Sequence, residues 1–258
     1  MTAPATAAHP HPHPGSSTGG RYRARLARTP ADRAAAQALR FQVFNLELDE
    51  GLAQSYDSGL DQDPFDAVCA HLIVEDEASG TVVGTYRMQT GRQAQAGLGY
   101  YSEREFDFAP FAALRPQMLE LGRACIARAH RNFTVLNLLW KGIAQHAHSH
   151  GARYLVGCSS LASQDETLGA AAHAQWQRHL APAAWRTLPQ PAFACALHTQ
   201  ARSSVPMPRL LSAYLALGAG ICGPPAIDRE FRTLDFLTWL DLQSPPVAAM
   251  QQRGRFTP

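Results

Sequence analysis

With 258 residues, 46% of them hydrophobic and 17% charged, the chain is long enough to bury one sizeable core, as a single domain or a domain with an extension. Its 23 Lys and Arg against 21 Asp and Glu leave a formal charge of +2, which lacks the cationic excess that binding a phosphate backbone requires and argues against nucleic acid as a partner. Five widely spaced cysteines, Cys69, Cys125, Cys158, Cys195 and Cys222, form no CxxC pair and no disulfide framework, and no apolar run reaches membrane-spanning length, so a cytoplasmic protein is expected.

Residues 1–20 contain Pro, His, Ser and Gly but no large apolar side chain, and read as a disordered leader. His9, His11 and His13 are assigned to that leader rather than to a metal site. Order is expected from Arg21, where alternation over 21–27 suits a half-buried strand. Thr29 as cap, Pro30 in the first turn and Asp32 behind it then predict a helix through about Asn45. After the acidic, turn-rich stretch from Gly51 to Asp66, the apolar runs 67–74 and 81–88 flank a short polar turn and predict an antiparallel hairpin. A strand over 118–126 precedes a helix over 133–150, whose Phe133, Leu136, Leu139, Trp140, Ile143 and Ala147 recur at helical spacing and which Gly151 stops. With the strand at 153–158 this makes a parallel, right-handed strand–helix–strand unit. Helices over 165–180 and 209–218 and a strand over 234–242 complete the pattern, 182–208 stays unassigned, and 244–258 reads as a flexible tail. The expectation is one α/β domain over 21–243, with a C-terminal extension from about 182 and helices on both faces of a mixed sheet.

There is no GxSxG elbow, no GxxxxGK[ST] loop and no GxGxxG after a strand. His146 and His150 lie one helical turn apart without an adjacent Glu, and no metal site is expected. Cys158, ending an apolar strand, is either a nucleophile or a packing residue. The strand through Glu120, running by Arg128 and Arg131 into the helix that starts near Phe133, would form an anion site, because unpaired N–H groups and the positive dipole end converge there. Two solvated loop arginines are the alternative.

Several segments, in order, carry a resemblance: 38–44 (ALRFQVF), 63–66 (DPFD), 83–87 (VGTYR), 120–123 (ELGR), 138–143 (LLWKGI), 154–158 (YLVGC), 208–214 (PRLLSAY) with 217–219, and then 225–228 and 235–236. In these the sequence resembles the GNAT superfamily over most of residues 21–242. Within it the chain looks most like the N-acyltransferases that make lyso-ornithine lipid, with acyl-homoserine-lactone synthases as cousins.

The resemblance implies a GNAT-type, mostly antiparallel sheet with one splayed parallel pair, whose gap holds the pantetheine arm of an acyl thioester. Backbone groups near Cys125 and Ile126 would hold the arm, and Arg128, Arg131, Asn132 and Phe133 would meet its phosphate. This phosphate loop lacks the glycines of the [QR]xxGx[GA] pattern, which favours acyl carrier protein over coenzyme A. Glu120, with Arg123 beside it, is the candidate catalytic pair: Glu120 either removes the amine's proton or pairs with Arg123 or Arg87 to hold the strands. Arg40, Asp63, Asp66 and Arg87 would receive an amino acid's ammonium and carboxylate, and a backbone N–H near Cys125 would stabilise the oxyanion. Leu72, Val74, Phe106, Phe108 and Trp140 are either an acyl groove or ordinary core.

The implied activity is transfer of a 3-hydroxy fatty acyl group from acyl carrier protein to the α-amine of ornithine. It needs no permanently bound cofactor, and the amphiphilic product suggests transient contact with the inner membrane surface. The rivals are another N-acyl amino acid synthase, a coenzyme A-dependent N-acetyltransferase, and a carrier-binding protein without turnover.

Overall fold

The apolar runs join one sheet. The computed structural model describes residues 17–197 and 204–252. Its strands are β1 (Ser17–Gly19), β2 (Tyr22–Leu26), β3 (Ala70–Asp76), β4 (Thr81–Thr90), β5 (Met118–Ile126), β6 (Tyr154–Leu161), β7 (Gly220–Ile221), β8 (Ala226–Asp228) and β9 (Thr233–Asp241). They are ordered β1-β2-β3-β4-β5-β6-β9-β7, with β8 also on β9. Among these strands, β5 and β6 pair in parallel and the other strand pairs are antiparallel.

Successive residues of a strand face opposite sides, and Met118 and Leu119 accordingly enter separate apolar clusters. One lies beneath the crossover helix α4, described below, and the other beneath the aromatic loops around Phe106 and Phe111. Among the helices, α1 (Pro30–Phe41) is capped by Thr29 in a capping box with Asp32, and it runs on into a wider π-type turn, Gln42–Glu47. The short α2 (Ser55–Ser58) and α3 (Gly91–Ala96) follow. The crossover helix α4 (Phe133–Ser149) is capped by Asn132, and Gly151 follows it at φ +65°. Next come α5 (Glu166–Gln175), which gives way to a 3-10 turn instead of reaching residue 180, and α6 (Arg209–Ala216).

Two expectations are corrected. Ser17–Gly19, inside the presumed leader, pairs with β2; His9, His11 and His13 lie outside the described residues. The presumed tail begins with α7 (Pro245–Gln252). Its two prolines fall in the first turn, where no N–H donor is needed, and Val247 enters the main core beside Leu217 and Met250. No described helix is long and apolar enough to cross a membrane.

The site is made by a failure of pairing. The β5–β6 ladder ends at Glu120 opposite Val156, although β5 continues to Ile126 and β6 to Leu161. At that point a Cβ on Gly157 would overlap the carbonyl oxygen of Leu121, so the close approach requires glycine. On its other edge β5 carries a bulge: the register moves from Arg87 opposite Gly122 to Thr85 opposite Cys125, and Arg123 sits at φ +51°. A bulge bends and twists the strand that carries it, and β5 leaves β6 here.

Candidate active site

The gap opens on a cavity of about 690 Å³. A smaller apolar space of about 50 Å³, lined by Tyr86, Leu155, Tyr214 and Leu240, shares with it the wall Leu121–Ala124, Cys158 and Leu210. Tyr86, Leu155 and Leu240 belong to the cluster beneath α4; Arg87, Gln89 and Glu120, one position out of phase, project from the other face into the larger cavity. A hydroxyl–hydroxyl hydrogen bond of 2.6 Å between Tyr86 and Tyr214 ties β4 to α6 beside the apolar space.

Glu120 is buried at the vertex of the gap. Its carboxylate accepts hydrogen bonds from the backbone N–H of Ser102 (2.7 Å) and Tyr101 (2.8 Å). Burial raises its pKa, while the Ser102 and Tyr101 hydrogen bonds and the charge of Arg87 oppose the rise. The expected ion pair with Arg123 or Arg87 is not formed, because both arginines are turned toward the 61–66 segment. Gln89, directly opposite Glu120 on β4, donates from Nε2 to the carbonyl of Gly99 (3.0 Å), so these two side chains together hold the 99–102 loop.

The 61–66 segment and three arginines form a closed network. Arg40, fully buried, donates to Asp61 Oδ2 (2.7 Å), Asp66 Oδ2 (2.8 Å) and the Asp61 carbonyl (2.5 Å). Arg87 donates to Asp63 (2.6 Å) and Asp66 (3.3 Å), and Arg123 to Asp63 (2.8 Å), with Asp61 3.3 Å away. Burial pushes the Asp66 carboxyl up, but Arg40 and Arg87 outweigh it and hold the group well below the usual carboxylate range. Of the four residues expected to receive the amino acid, Arg87 lines the cavity. Asp63 faces an adjoining opening beside Arg123, and Arg40 and Asp66 line neither space. Asp61, central to the network, had no sequence signal distinguishing it from the acids around it.

A second group of acids belongs to the same cavity. Glu50, placed by the chain that leaves the π-type turn, lines the cavity with Asp228 and Asp235, and Glu105 lies behind them. Asp228 is pinned by the backbone N–H groups of Glu230 (2.8 Å) and Phe231 (2.9 Å) at one oxygen. Asp235 accepts from Thr233 Oγ1 (3.0 Å) and shares a hydrogen bond with Glu105. Burial first, then the charge of Asp228, pushes Asp235 up to about 6; burial and the charge of Asp235 push Glu50 up to about 7; Glu105 is raised further by burial and both aspartates. Sequence reasoning noticed Asp228 and Asp235 only as motif positions and missed Glu50 and Glu105.

Cys158 contacts Ser102 and Glu105 through Sγ at 3.5 and 3.7 Å, and burial raises its thiol well above the ordinary value, so it is held as the thiol. This favours packing over nucleophilic chemistry. His146 and His150 stack at 4.2 Å between ring centroids, and burial lowers His146 to about 4; no third metal donor joins them among the described residues. Leu72, Val74, Phe106, Phe108 and Trp140 are all buried core and none lines the cavity.

At the far end of β5, Cys125 turns its side chain under α1 against Leu39 and Val43. The carbonyl of Ile126 already accepts from Arg131 Nε (3.0 Å), whose fork grips Glu47 at 2.6 and 2.8 Å. Arg128 is exposed with no ion-pair partner among the described residues, and Asn132 caps α4 by accepting from the Val135 N–H (3.1 Å) beside an exposed Phe133.

A parallel pair that splits at a bulge, feeds a crossover helix and carries a buried acid at its vertex is the architecture of the GNAT acyltransferases. The model of the acetyltransferase (GNAT) domain matches residues 39–141. Among solved structures, the chain is similar to FeeM, an N-acyl amino acid synthase from uncultured soil microbes, with a TM-score of 0.55 and 13% identity over 89% of this chain and 98% of that one. It is likewise similar to the AHL synthase LasI, with a TM-score of 0.54 and 13% identity over 91% and 96%. At these identities the likeness is one of fold. In sequence it is 32% identical over 242 residues to the L-ornithine N(alpha)-acyltransferase of Agrobacterium fabrum, covering 87% of this chain and 82% of that protein. The chain belongs to the L-ornithine N(alpha)-acyltransferase family and is an acyltransferase.

Proposed function

We propose that the enzyme transfers a 3-hydroxy fatty acyl group from acyl carrier protein to the α-amine of ornithine, the first step toward an ornithine lipid. The observation that carries this reading is the β5–β6 gap, which joins an apolar space to a cavity lined with charged and polar groups, Glu120 standing at the vertex. A thioester entering on the apolar side would present its carbonyl where an amine in the polar cavity can reach it.

Glu120 takes a proton from the acceptor's ammonium, and its buried, raised carboxyl is closer to neutrality than a solvated one and so better matched to that task. The freed amine attacks the thioester carbonyl, and a backbone N–H of β5 near Cys125 stabilises the oxyanion. The attacking nitrogen still carries one proton too many, so Glu120, its first proton passed to solvent, accepts this second one; collapse breaks the C–S bond, leaves the new C–N bond as an amide, and the second proton passes from Glu120 to the departing thiolate. Arg123, packed over the rings of Phe231 (4.1 Å) and Tyr101 (4.7 Å), positions the wall beside Glu120. Arg87, within the cavity lining, is suited to the acceptor's carboxylate. Support for the carrier-protein donor comes from the glycine-free 128–133 loop, whose unpaired Arg128 and capped helix start suit one phosphate better than a wrapped pyrophosphate.

Purified enzyme offered the same acyl group on acyl carrier protein and on coenzyme A, with ornithine, is expected to form N-acylornithine from the carrier-protein thioester; no product with any carrier-protein substrate rejects that donor. Glu120→Gln is expected to lower kcat/KM by about 10²- to 10⁴-fold and to remove the acidic limb of the pH profile. Activity within tenfold of wild type, with that limb intact, would assign Glu120 to holding the 99–102 loop.

A further inference from the structure

We propose that Glu50, Asp228 and Asp235 form a subsite for a second, distal ammonium group on the acceptor, so that the cavity selects diamino acids while the reacting amine lies toward Glu120. The inference rests on the amine-acceptor reading above and extends it to the feature that distinguishes one amino acid from another.

Asp61, Asp63, Asp66 and Asp76 each have an arginine within ion-pair distance. Glu50, Glu105, Asp228 and Asp235 have none among the described residues, and Glu105 and Asp235 are buried so completely that one proton is drawn between them. Buried carboxylates without a counter-ion are costly, and the cost falls when a cation arrives. Two of the acids offer free oxygens to it. Asp228 is 4% exposed, with the oxygen not held by Glu230 and Phe231 unpartnered, and the carboxylate of Glu50 makes no hydrogen bond among the described residues.

The independent observation is Gln89, 1% exposed and lining the same cavity opposite Glu120, whose Oε1 has no donor. The cavity therefore lacks N–H donors at two places, at the acid wall and beside Glu120, as it would if built for a ligand with an amine at each end. A divalent metal is the competing occupant, since ligand atoms of Glu105, Cys158 and Asp235 lie within 4.8 Å of one another. The thiol is retained as such and the two carboxyls share a hydrogen bond, a state that suits a hydrogen-bond donor better than a metal.

The test uses the full chain and one acyl thioester, with ornithine and norvaline, its analogue lacking the distal amine, as acceptors. The wild-type enzyme is expected to prefer ornithine in kcat/KM by 100-fold or more. Asp228→Asn and Glu50→Gln are each expected to cut that preference about 10- to 100-fold, the range for losing a charged hydrogen bond. Glu50→Gln guards against misfolding, since that side chain holds no other element. Calorimetric titration of both amino acids into the same proteins reads the subsite without turnover, with ornithine expected to bind wild type more tightly and to lose that advantage in the variants.

Equal use of norvaline by wild type overturns the proposal, as does a proportional loss of both substrates in the variants. A stoichiometric metal that Asp235→Asn removes also overturns it. Absence of any acyl transfer to amino acids, with ornithine still bound selectively, would instead reject the acceptor reading and leave the subsite standing.

Discussion

Two groups of acids surround this site, one lining the cavity and one behind Arg87 and Arg123, and they differ in what neutralises them. Asp61, Asp63 and Asp66 are interlocked with Arg40, Arg87 and Arg123, so each charge has its partner within the protein. Glu50, Glu105, Asp228 and Asp235 have hydroxyls, amides and one another. A network whose charges are paired fixes architecture: it ties α1, the 61–66 segment and the bulge of β5 into one piece. An unsatisfied one is where a ligand's charge changes the energy most. The difference teaches that burial of charge alone does not mark a binding wall; the absence of an internal counter-charge does.

The largest expected effect breaks the satisfied side. Arg40→Ala leaves Asp61 and Asp66 without their shared cation in a fully buried position, and removing one partner of such a network costs about 3–5 kcal/mol. Urea unfolding measures it, and a loss below about 1 kcal/mol would show that the acids find other partners and that the two regions do not differ as described.

The unsatisfied side shows itself through pH. Asp235 at about 6 and Glu50 at about 7 lie above the usual carboxylate value, so the folded protein keeps protons that the unfolded chain releases. Their contribution to stability is complete below about pH 4 and is lost as pH rises through 6 and 7. For Asp66, held low by Arg40 and Arg87, the contribution runs the other way, present at neutral pH and lost in acid. His71 and His146, lowered by burial, contribute in the opposite sense, so the expectation is a difference: the wild-type Tm relative to that of Asp235→Asn is expected to fall between pH 5 and 8 by several degrees, at about 2–4 °C per kcal/mol. A difference that rises across this range would contradict the assignment.

Much of the frame was legible in advance, because it rests on local rules. Thr29 with Asp32 marks a helix start, apolar spacing from Phe133 marks α4, and the alternation around Glu120 marks β5 with the bounds observed. The split of β5 from β6 followed from the resemblance. What stayed hidden was set by tertiary contacts. Nothing in the residues around Arg123 announces a left-handed backbone there, yet that bulge turns Arg123 to Asp63 and away from Glu120. Glu50 and Glu105 sit in turn-rich segments where acids are ordinarily solvated, and only the packing of β8, β9 and the 99–105 loop buries this wall. The helix 245–252 lies within the segment read as a tail, and its two prolines occupy the first turn, where they are permitted.

The smallest expected effect sharpens the comparison at its boundary. Arg131 and Glu47 are a neutralised pair like those of the network, but they lie at the exposed end of β5, with side chains 41% and 22% exposed. A pair so placed contributes at most about 1 kcal/mol to stability, so Glu47→Gln should leave the unfolding midpoint almost unmoved. It should instead free the Arg131 fork while the Ile126 carbonyl still anchors Nε. If Arg131 meets the donor's phosphate, that phosphate must displace the Glu47 carboxylate in the wild type. The variant is then expected to show a donor KM a few-fold lower at low ionic strength, with the gain fading as salt screens the exposed charge and the acceptor KM unchanged. An unchanged donor KM would assign the pair to architecture, like Arg40 with Asp61, and leave the exposed, unpaired Arg128 as the cation that meets the phosphate.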